Sequence, residues 1–283
     1  MIKSISYWSM KGGLNGSCSI DEAAFQAREA GFTGLELCIA EVGVLTPSTD
    51  QETCEQYRQT ISDQGLVFET LASGMSWAYC PTDPDPDIRK KSIELHQEAL
   101  RRAAWLGCKA MLFVPGAVKI VWEPEFGPVP YDQAVQWARE AIEALLPVAN
   151  ETGVDLCIEN VWNGLFYSPL EFAAFIDSFD HPRLGIYLDV GNLMGYHQHP
   201  PHWIDILGNR IKRVHIKDFK CAVGSMEGFC DLLEGDVPFP EIMKALVRIG
   251  YDQTVVAEMM PPDNSLLERT SKAMDQIFST IKL

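Results

Sequence analysis

The sequence contains no apolar run of the ~18–20 residues that a membrane-spanning helix requires. Its first residues, MIKSISYWSMKGG, lack the apolar core and small-residue cleavage site of a secretory signal. Its 23 Lys and Arg are outnumbered by 39 Asp and Glu, and no basic block offsets the net charge of −16. Because nucleic-acid phosphates repel such a chain, nucleic acid is excluded as a partner. These absences predict a cytoplasmic protein that binds neither membranes nor nucleic acid.

Other signals are missing as well. The eight cysteines are scattered and include no C-x-x-C pair, so no disulfide framework is predicted. The glycine-rich stretch K-G-G-L-N-G (11–16) matches neither the dinucleotide fingerprint nor the phosphate loop, which argues against nucleotide chemistry. No low-complexity segment and no linker long enough to separate two cores interrupts the chain. A single domain over residues 1–283 is therefore predicted.

The chain does contain an alternation of short β-type runs with amphipathic helical segments. The eight β-type runs are residues 4–8, 34–38, 66–71, 110–114, 154–158, 184–188, 213–216 and 254–257. Helical patterns cover residues 20–30, 88–106, 131–151, 241–249 and 265–281. Pro147 is expected to kink or shorten the third of these helices. The repeated strand–helix units predict parallel strands in a closed (β/α)₈ TIM barrel, with an open doubly wound sheet as the alternative.

In such a barrel, catalytic groups lie at the carboxyl ends of the strands. The ends of the fifth to eighth predicted strands read C-I-E-N, Y-L-D-V-G-N, V-H-I-K-D and V-A-E-M. They contribute the side chains Glu159, Asp189, His215 and Glu258. A single acid at a strand end is explained equally well by a loop cap or a salt bridge. Four such groups at successive strand ends indicate a shared site.

The composition of this set indicates a metal site. Two Glu, one Asp and one His suit Mn²⁺, Mg²⁺, Co²⁺ or Zn²⁺, and do not suit copper or an iron–sulfur cluster. Three carboxylates packed together resist ionisation, and a divalent cation removes that penalty. One divalent metal ion is therefore predicted as the cofactor.

These four stretches resemble the metal motifs of the xylose-isomerase-like TIM barrel superfamily. Within it, the chain is similar to the sugar phosphate isomerase/epimerase group, which includes ketose 3-epimerases and L-ribulose-5-phosphate 3-epimerases. The similarity covers nearly the whole chain and extends to further stretches. They are G-F-T-G-L-E-L (31–37), P-D-I-R-K-K-S-I-E-L (86–95), A-x-x-L-G (103–107) and E-G-D-V-P-F-P (234–240).

The resemblance implies an isomerase that uses one divalent metal ion, with Mn²⁺ as the expected ion. The implied metal ligands are Glu159, Asp189, His215 and Glu258. Glu159 and Glu258 are also implied as the pair that exchanges protons with the substrate. Asn192 stands where many members have histidine, and D-V-G-N resembles the branch that acts on pentulose phosphates. The implied substrate is a small sugar or sugar phosphate, and the implied assembly is a homodimer or homotetramer.

The resemblance implies inversion at C3 of a ketose or pentulose phosphate, and the four side chains are equally compatible with other reactions of the same enediolate. One Glu removes the C3 proton, a cation neutralises the resulting enediolate, and the other Glu returns a proton to the opposite face. The same enediolate leads to aldose–ketose isomerisation if the proton returns to C1 or C2. Loss of a β-hydroxyl would instead give a lyase, such as an inosose-type dehydratase. A sugar-binding barrel without catalysis is the alternative outside the enzymes.

Polar side chains near the predicted site are candidates for contact with the substrate. Lys217 lies two residues after His215 and is predicted either to meet an oxyanion or phosphate or to pair with a nearby acid such as Asp218. Glu36, at the end of the second predicted strand, is expected to contact sugar hydroxyls or to orient a neighbour. Asn192 in the D-V-G-N stretch is a further candidate.

Aromatic side chains near two strand ends are candidates as well. Trp8 ends the first predicted strand, and Trp122 lies in the long loop 117–130 after the fourth. Long loops in compact domains often cover active sites, and aromatic rings suit the apolar face of a sugar. Both tryptophans are therefore candidates to line the substrate site, with packing in the core or at the rim as the alternative for each.

Overall fold

The computed structural model describes residues 1–281, and Lys282 and Leu283 of the predicted domain lie outside the described residues. The barrel strands are β1 Ile2–Ser6, β2 Gly34–Ile39, β3 Thr70–Ser73, β4 Ala110–Phe113, β5 Asp155–Glu159, β6 Leu184–Asp189, β7 Ile211–Ile216 and β10 Thr254–Ala257. They close in the order β1-β10-β7-β6-β5-β4-β3-β2, and all neighbours are parallel. The predicted (β/α)₈ barrel is confirmed, and the open doubly wound sheet is wrong because β1 pairs with both β2 and β10.

Helices occupy most connections between the strands. They are α1 Ile20–Glu29, α2 Gln51–Asp63, α3 Met75–Ala78, α4 Pro86–Trp105, α5 Tyr131–Thr152, α6 Pro169–Asp177, α7 Val190–Met194, α8 Pro200–Leu207, α9 Phe239–Arg248 and α10 Leu266–Ser279. The short strands β8 Asp218–Phe219 and β9 Phe229–Cys230 form an antiparallel pair beside the barrel. Within residues 1–281, none of the helices combines the length and apolar character needed to cross a membrane.

Local sequence signals explain where the first helix begins and ends. The Ser19 hydroxyl accepts a hydrogen bond from the backbone N–H of Glu22 at 3.2 Å and so caps α1. Gly31 follows the helix with a φ of +89°, a left-handed conformation that a side chain would strain. The chain can therefore reverse into β2 within a few residues.

Pro147 lies inside α5, which continues to Thr152, so the expected shortening of this helix is wrong. Proline removes one backbone hydrogen bond from a helix interior. Buried side chains on both sides of it, including Leu145 and Ala149, pack against the rest of the core. This packing holds the helix together despite the missing hydrogen bond.

Two strands differ from the apolar runs that predicted them. β1 ends at Ser6, before the predicted end at residue 8, and Tyr7–Ser9 forms a 3₁₀ turn. β3 overlaps the predicted run 66–71 at its end and extends past it. The polar side chains of Thr70 and Ser73 in β3 hydrogen-bond to buried partners inside the protein. An apolar pattern therefore misses half of this strand.

One of those partners is His96 on α4, which is completely buried. Its Nε2 lies 3.0 Å from the Ser73 hydroxyl, and its Nδ1 lies 2.8 Å from the carbonyl oxygen of Ser92. The ring meets Phe113 edge to face at 4.7 Å between centroids. Burial disfavours the charged ring and lowers the pKa of His96 to about 4.

We expect this histidine to make the protein less stable at acid pH. In the unfolded chain its pKa is about 6.5, so the stability that the neutral ring contributes is present above that pH and is lost as the pH falls towards 4. The free energy of unfolding should decrease by about 2 kcal/mol between pH 7 and pH 5 from this residue alone. Denaturant unfolding of the wild type and of His96→Asn at both pH values measures the effect, which the variant should lack.

The matched control is His202→Asn, because His202 is exposed on α8. This variant should keep the pH dependence of the wild type. A His96→Asn protein whose stability changes with pH as much as the wild type would contradict the assignment.

Candidate active site

The four predicted ligands converge at the carboxyl end of the barrel. Glu159 and Asp189 are the last residues of the neighbouring strands β5 and β6. His215 pairs with Asp189 in the ladder near the end of β7, and Glu258 directly follows β10. One ligand atom from each side chain lies within 4.8 Å of the other three. The side chains meet because parallel strands end at one rim of the barrel.

His215 faces the three carboxylates with one ring nitrogen. Its Nδ1 lies 3.2 Å from Glu258 Oε2 and 3.8 Å from Glu159 Oε1. Asp189 Oδ2 lies 4.0 Å from the same nitrogen. His215 is completely buried, and its Nδ1 has no hydrogen-bond partner among the described residues. A buried nitrogen aimed at three carboxylates fits the donor set of a divalent cation.

The other ring nitrogen of His215 is held from below by Glu36. His215 Nε2 lies 2.8 Å from Glu36 Oε1, and both side chains are completely buried. The second carboxylate oxygen of Glu36 accepts hydrogen bonds from the hydroxyls of Tyr187 at 2.5 Å and Thr70 at 3.1 Å. Glu36 lies in the middle of β2, which continues to Ile39, so it is not at a strand end. Glu36 therefore contacts His215 beneath the site and does not line the cavity above it. Of its two predicted roles, the structure fits the orientation of a neighbouring side chain.

Asp189 is held by two asparagines. The Asn160 side chain accepts from the Asp189 backbone N–H and donates to its carbonyl oxygen, both at 2.8 Å. Asp189 Oδ1 accepts from the backbone N–H of Asn192 at 2.8 Å. The Asn192 side-chain amide donates to the Asn160 carbonyl oxygen at 3.0 Å and so ties the residues that follow β5 and β6 to each other. Asn192, a predicted substrate-contact residue, also lines the cavity. Asn160 was missed by sequence reasoning although it directly follows Glu159 in C-I-E-N.

Lys217 adds the positive charge nearest to the carboxylates. Its Nζ lies 3.0 Å from Asp189 Oδ2 and 2.7 Å from Glu258 Oε2. Gly191 at the start of α7 packs against it: a Cβ there would lie 2.3 Å from Lys217 Cγ and 2.7 Å from the Lys217 carbonyl oxygen. The glycine of D-V-G-N therefore allows α7 and the end of β7 to approach each other.

Lys217 therefore pairs with nearby acids, as one of its two predicted roles requires, but these acids are Asp189 and Glu258 and not Asp218. The Asp218 carboxylate accepts hydrogen bonds from the backbone N–H groups of Gly235 at 2.9 Å and Val237 at 3.1 Å. Both belong to the stretch E-G-D-V-P-F-P. Asp218 thus fixes the loop that returns from the β8–β9 pair to α9.

The electrostatics of the cluster follow from its burial. Burial raises the pKa of Glu159 above its ordinary value. Burial acts in the same direction on Glu258, but the Lys217 ammonium and His215 hold its pKa well below the ordinary value. Burial opposes the charged form of His215, yet the surrounding carboxylates, with Glu36 foremost, raise its pKa. Such a negative, enclosed group of side chains attracts a divalent cation.

The cluster forms part of the floor of a cavity of about 760 Å³ at the mouth of the barrel. Glu159 and Glu258 line this cavity. Asp189 and His215 are completely buried and do not line it. Two carboxylates are therefore within reach of a molecule in the cavity, and the other two ligands lie behind them.

The two predicted tryptophans lie in the cavity wall. Trp8 is in the 3₁₀ turn after β1, and Trp122 is in the loop after β4. Trp122 meets Trp77 edge to face, with ring centroids 4.7 Å apart. Trp162 also lines the cavity, and its Nε1 donates to the Asn192 carbonyl oxygen at 2.9 Å. Sequence reasoning missed Trp77, which lies in the short helix α3, and Trp162, which lies in a loop, because neither segment is long enough to show a periodic pattern.

Comparison with known proteins gives consistent matches. A curated D-psicose 3-epimerase from Ruminiclostridium cellulolyticum is 26% identical over 258 residues, which cover 89% of this chain and 81% of that protein. A putative L-ribulose-5-phosphate 3-epimerase from Escherichia coli is 25% identical over 238 residues, covering 82% of this chain and 81% of that protein. The solved structure of D-psicose 3-epimerase with D-tagatose from Clostridium cellulolyticum superposes with a TM-score of 0.79 at 18% identity, over 99% of both chains.

The model of the xylose isomerase-like TIM barrel family matches residues 25–277. The predicted resemblance, the barrel and the isomerase class are confirmed by these matches, since the relatives are named epimerases. The chain belongs to the xylose isomerase-like TIM barrel family.

Proposed function

We propose that this chain is a divalent-metal-dependent epimerase that inverts C3 of a ketose, and that the whole barrel is one catalytic unit. The observation that carries the proposal is the division of the buried cluster, in which Glu159 and Glu258 line the cavity. A second support is that the curated relatives are named as 3-epimerases of D-psicose, L-ribulose 5-phosphate and ketoses.

The side chains fit a divalent metal ion, with Mn²⁺ as the expected one. Glu159, Asp189, His215 and Glu258 would hold it, since they offer three carboxylates and the unpartnered Nδ1 of the imidazole. The ion supplies positive charge that neutralises the oxygens of a ketose when C3 loses its proton.

Glu159 and Glu258 are the proton-transferring residues in this proposal. They reach the cavity from β5 and from the end of β10, and two strands of the barrel separate these positions. One carboxylate takes the C3 proton, and the electron pair of the C–H bond moves towards the carbonyl oxygen. The other carboxylate, in its protonated form, donates to the opposite face of C3. The lysine ammonium of Lys217, 2.7 Å from Glu258 Oε2, favours the ionised form of that carboxylate.

Glu36 is a positioning residue for His215. A carboxylate that accepts a hydrogen bond from one imidazole nitrogen fixes the ring orientation and leaves the other nitrogen unprotonated for a metal. Glu36 meets this requirement at 2.8 Å, and the hydroxyls of Tyr187 and Thr70 hold its second oxygen.

The proposed activity can be tested by isotope exchange. The protein, loaded with Mn²⁺ or Mg²⁺, is incubated in D₂O with D-fructose, D-tagatose, D-psicose and D-ribulose, and the sugars are separated from protein and metal before NMR. We expect deuterium at C3 together with the C3 epimer of at least one ketose. Deuterium at C1 alone would indicate aldose–ketose isomerisation, and a dehydrated dicarbonyl product would indicate a lyase. Sugar binding without any exchange would indicate a binding protein.

We expect Glu159→Gln and Glu258→Gln each to reduce C3 exchange by roughly 10³-fold or more, because each removes one of the two proton-transferring groups. Exchange rates and circular dichroism of the purified variants measure activity and folding. The matched control is Glu69→Gln, since Glu69 contacts Lys109 and Thr254 at the opposite end of the barrel. This variant should retain the wild-type rate within about twofold, and near-normal exchange in either cavity variant would contradict the two-carboxylate mechanism.

We expect Glu36→Gln to weaken Mn²⁺ binding by about 10- to 100-fold, because the amide no longer fixes the His215 ring as a carboxylate does. Tyr187→Phe, which removes one hydrogen bond to Glu36, should have a smaller effect in the same direction. Competition with a fluorescent chelator measures the metal dissociation constant without any need for turnover.

The thermal unfolding of the metal-free variants separates metal binding from folding. A Glu36→Gln protein that is folded and binds Mn²⁺ as tightly as the wild type would contradict the positioning role.

A further inference from the structure

The cavity above the cluster is larger than a simple ketose requires. Its volume is about 760 Å³. A hexose has about twelve non-hydrogen atoms, and the same number of water molecules occupies roughly 360 Å³ in the liquid. A ketohexose would therefore fill at most about half of the cavity. Cavities of this size hold ligands of drug-like dimensions.

Away from the charged floor, the wall of the cavity is mostly apolar and aromatic. Trp77 and Trp122 form one edge-to-face pair at 4.7 Å, and Trp162 and Phe229 form a second pair at 5.3 Å. Trp8 also lines the cavity. The polar face of a sugar cannot satisfy its hydroxyls against such a surface, whereas an aryl group can be buried there.

Among the described residues, the cavity also offers no unpaired Lys or Arg side chain to a phosphate group. Among the described residues that line it, Lys217 is the one Lys or Arg side chain. Its ammonium is already paired with Asp189 and Glu258 at the floor. Glu41, another lining residue, brings a further negative charge. Phosphate recognition relies on Arg, Lys or unoccupied backbone amides, and the first turn of α7 is capped by Asp189.

We propose that the substrate is an uncharged ketosugar that carries an apolar, aryl-sized substituent, and that it is not a sugar phosphate. The inference rests on the proposed function. The ketone end of the sugar lies on the floor beside Glu159 and Glu258, and the substituent occupies the space between the aromatic pairs. The D-V-G-N resemblance to pentulose-phosphate enzymes concerns the floor, where Asn192 joins two strand ends, and not the recognition of phosphate.

The test compares three fructose derivatives substituted at the same oxygen: 6-O-benzyl-D-fructose, 6-O-methyl-D-fructose and D-fructose 6-phosphate. Four of the seven tryptophans line the cavity. Quenching of tryptophan fluorescence in the Mg²⁺-loaded protein therefore measures binding by a signal that does not depend on turnover. We expect the benzyl ether to bind at least about tenfold more tightly than the methyl ether, because the ring buries apolar surface. The phosphate ester should bind more weakly than the methyl ether.

Two tryptophan variants test whether the cavity wall causes the preference for the benzyl ether. Trp122→Leu should abolish most of the preference for the benzyl ether over the methyl ether. The matched control is Trp137→Leu, because Trp137 on α5 packs against Arg89 and does not line the cavity. This control should keep the full preference.

The outcomes separate this inference from the proposed function. Equal binding of the benzyl and methyl ethers, or tighter binding of the phosphate ester, overturns the substrate class. If deuterium still enters C3 of the methyl ether in that case, the epimerase proposal stands. A clear benzyl preference without deuterium exchange in any derivative supports the ligand class and overturns the epimerase.

Discussion

The mutual repulsion of three buried carboxylates is the constraint on which the site depends. Glu159, Asp189 and Glu258 lie within a few ångströms of one another with little or no access to water. Such a group is unfavourable unless positive charge lies among its members. Lys217 and the ring of His215 supply part of that charge, and the arrangement of oxygens and one nitrogen suits a divalent ion for the rest.

The barrel holds these groups rigidly because each ligand belongs to, or directly follows, a strand in a closed parallel sheet. Neighbouring strand ends are tied together by specific polar contacts, such as the two hydrogen bonds between Asn160 and the backbone of Asp189. Glu36 reaches His215 across the interior of the barrel, since β2 and β7 are not neighbours in the sheet. The proposed ligands are thereby oriented by contacts within the protein, which lowers the cost of assembling the site.

The cavity has a charged floor and a mostly apolar and aromatic wall, and the two differ in their origin in the fold. The charged floor is built from strand ends and suits proton transfer next to a cation, whereas the aromatic wall comes from the loops, short helices and the β8–β9 pair that connect the barrel strands. The floor carboxylates are almost inaccessible to water, which strengthens the electrostatic interactions there. Among the described residues that line the cavity, Lys217 is the one Lys or Arg and is paired with carboxylates, which supports the proposed uncharged and partly apolar substrate.

The sequence alone predicted the barrel and the four side chains of the cluster, because each signal is local. A strand followed by an acid or a histidine can be recognised in a few residues, and parallel strands bring such ends to one rim. Two predictions failed for the same reason. The bounds of β3 were misplaced because its polar side chains hydrogen-bond to buried partners. The predicted shortening of α5 at Pro147 did not occur because packing around the helix compensates for the missing hydrogen bond. The position of Glu36 below His215 and the aromatic wall around the cavity depend on residues from distant parts of the chain. Only the tertiary structure decides such contacts, because they arise from the closure of the barrel and the packing of its loops, which no local pattern records.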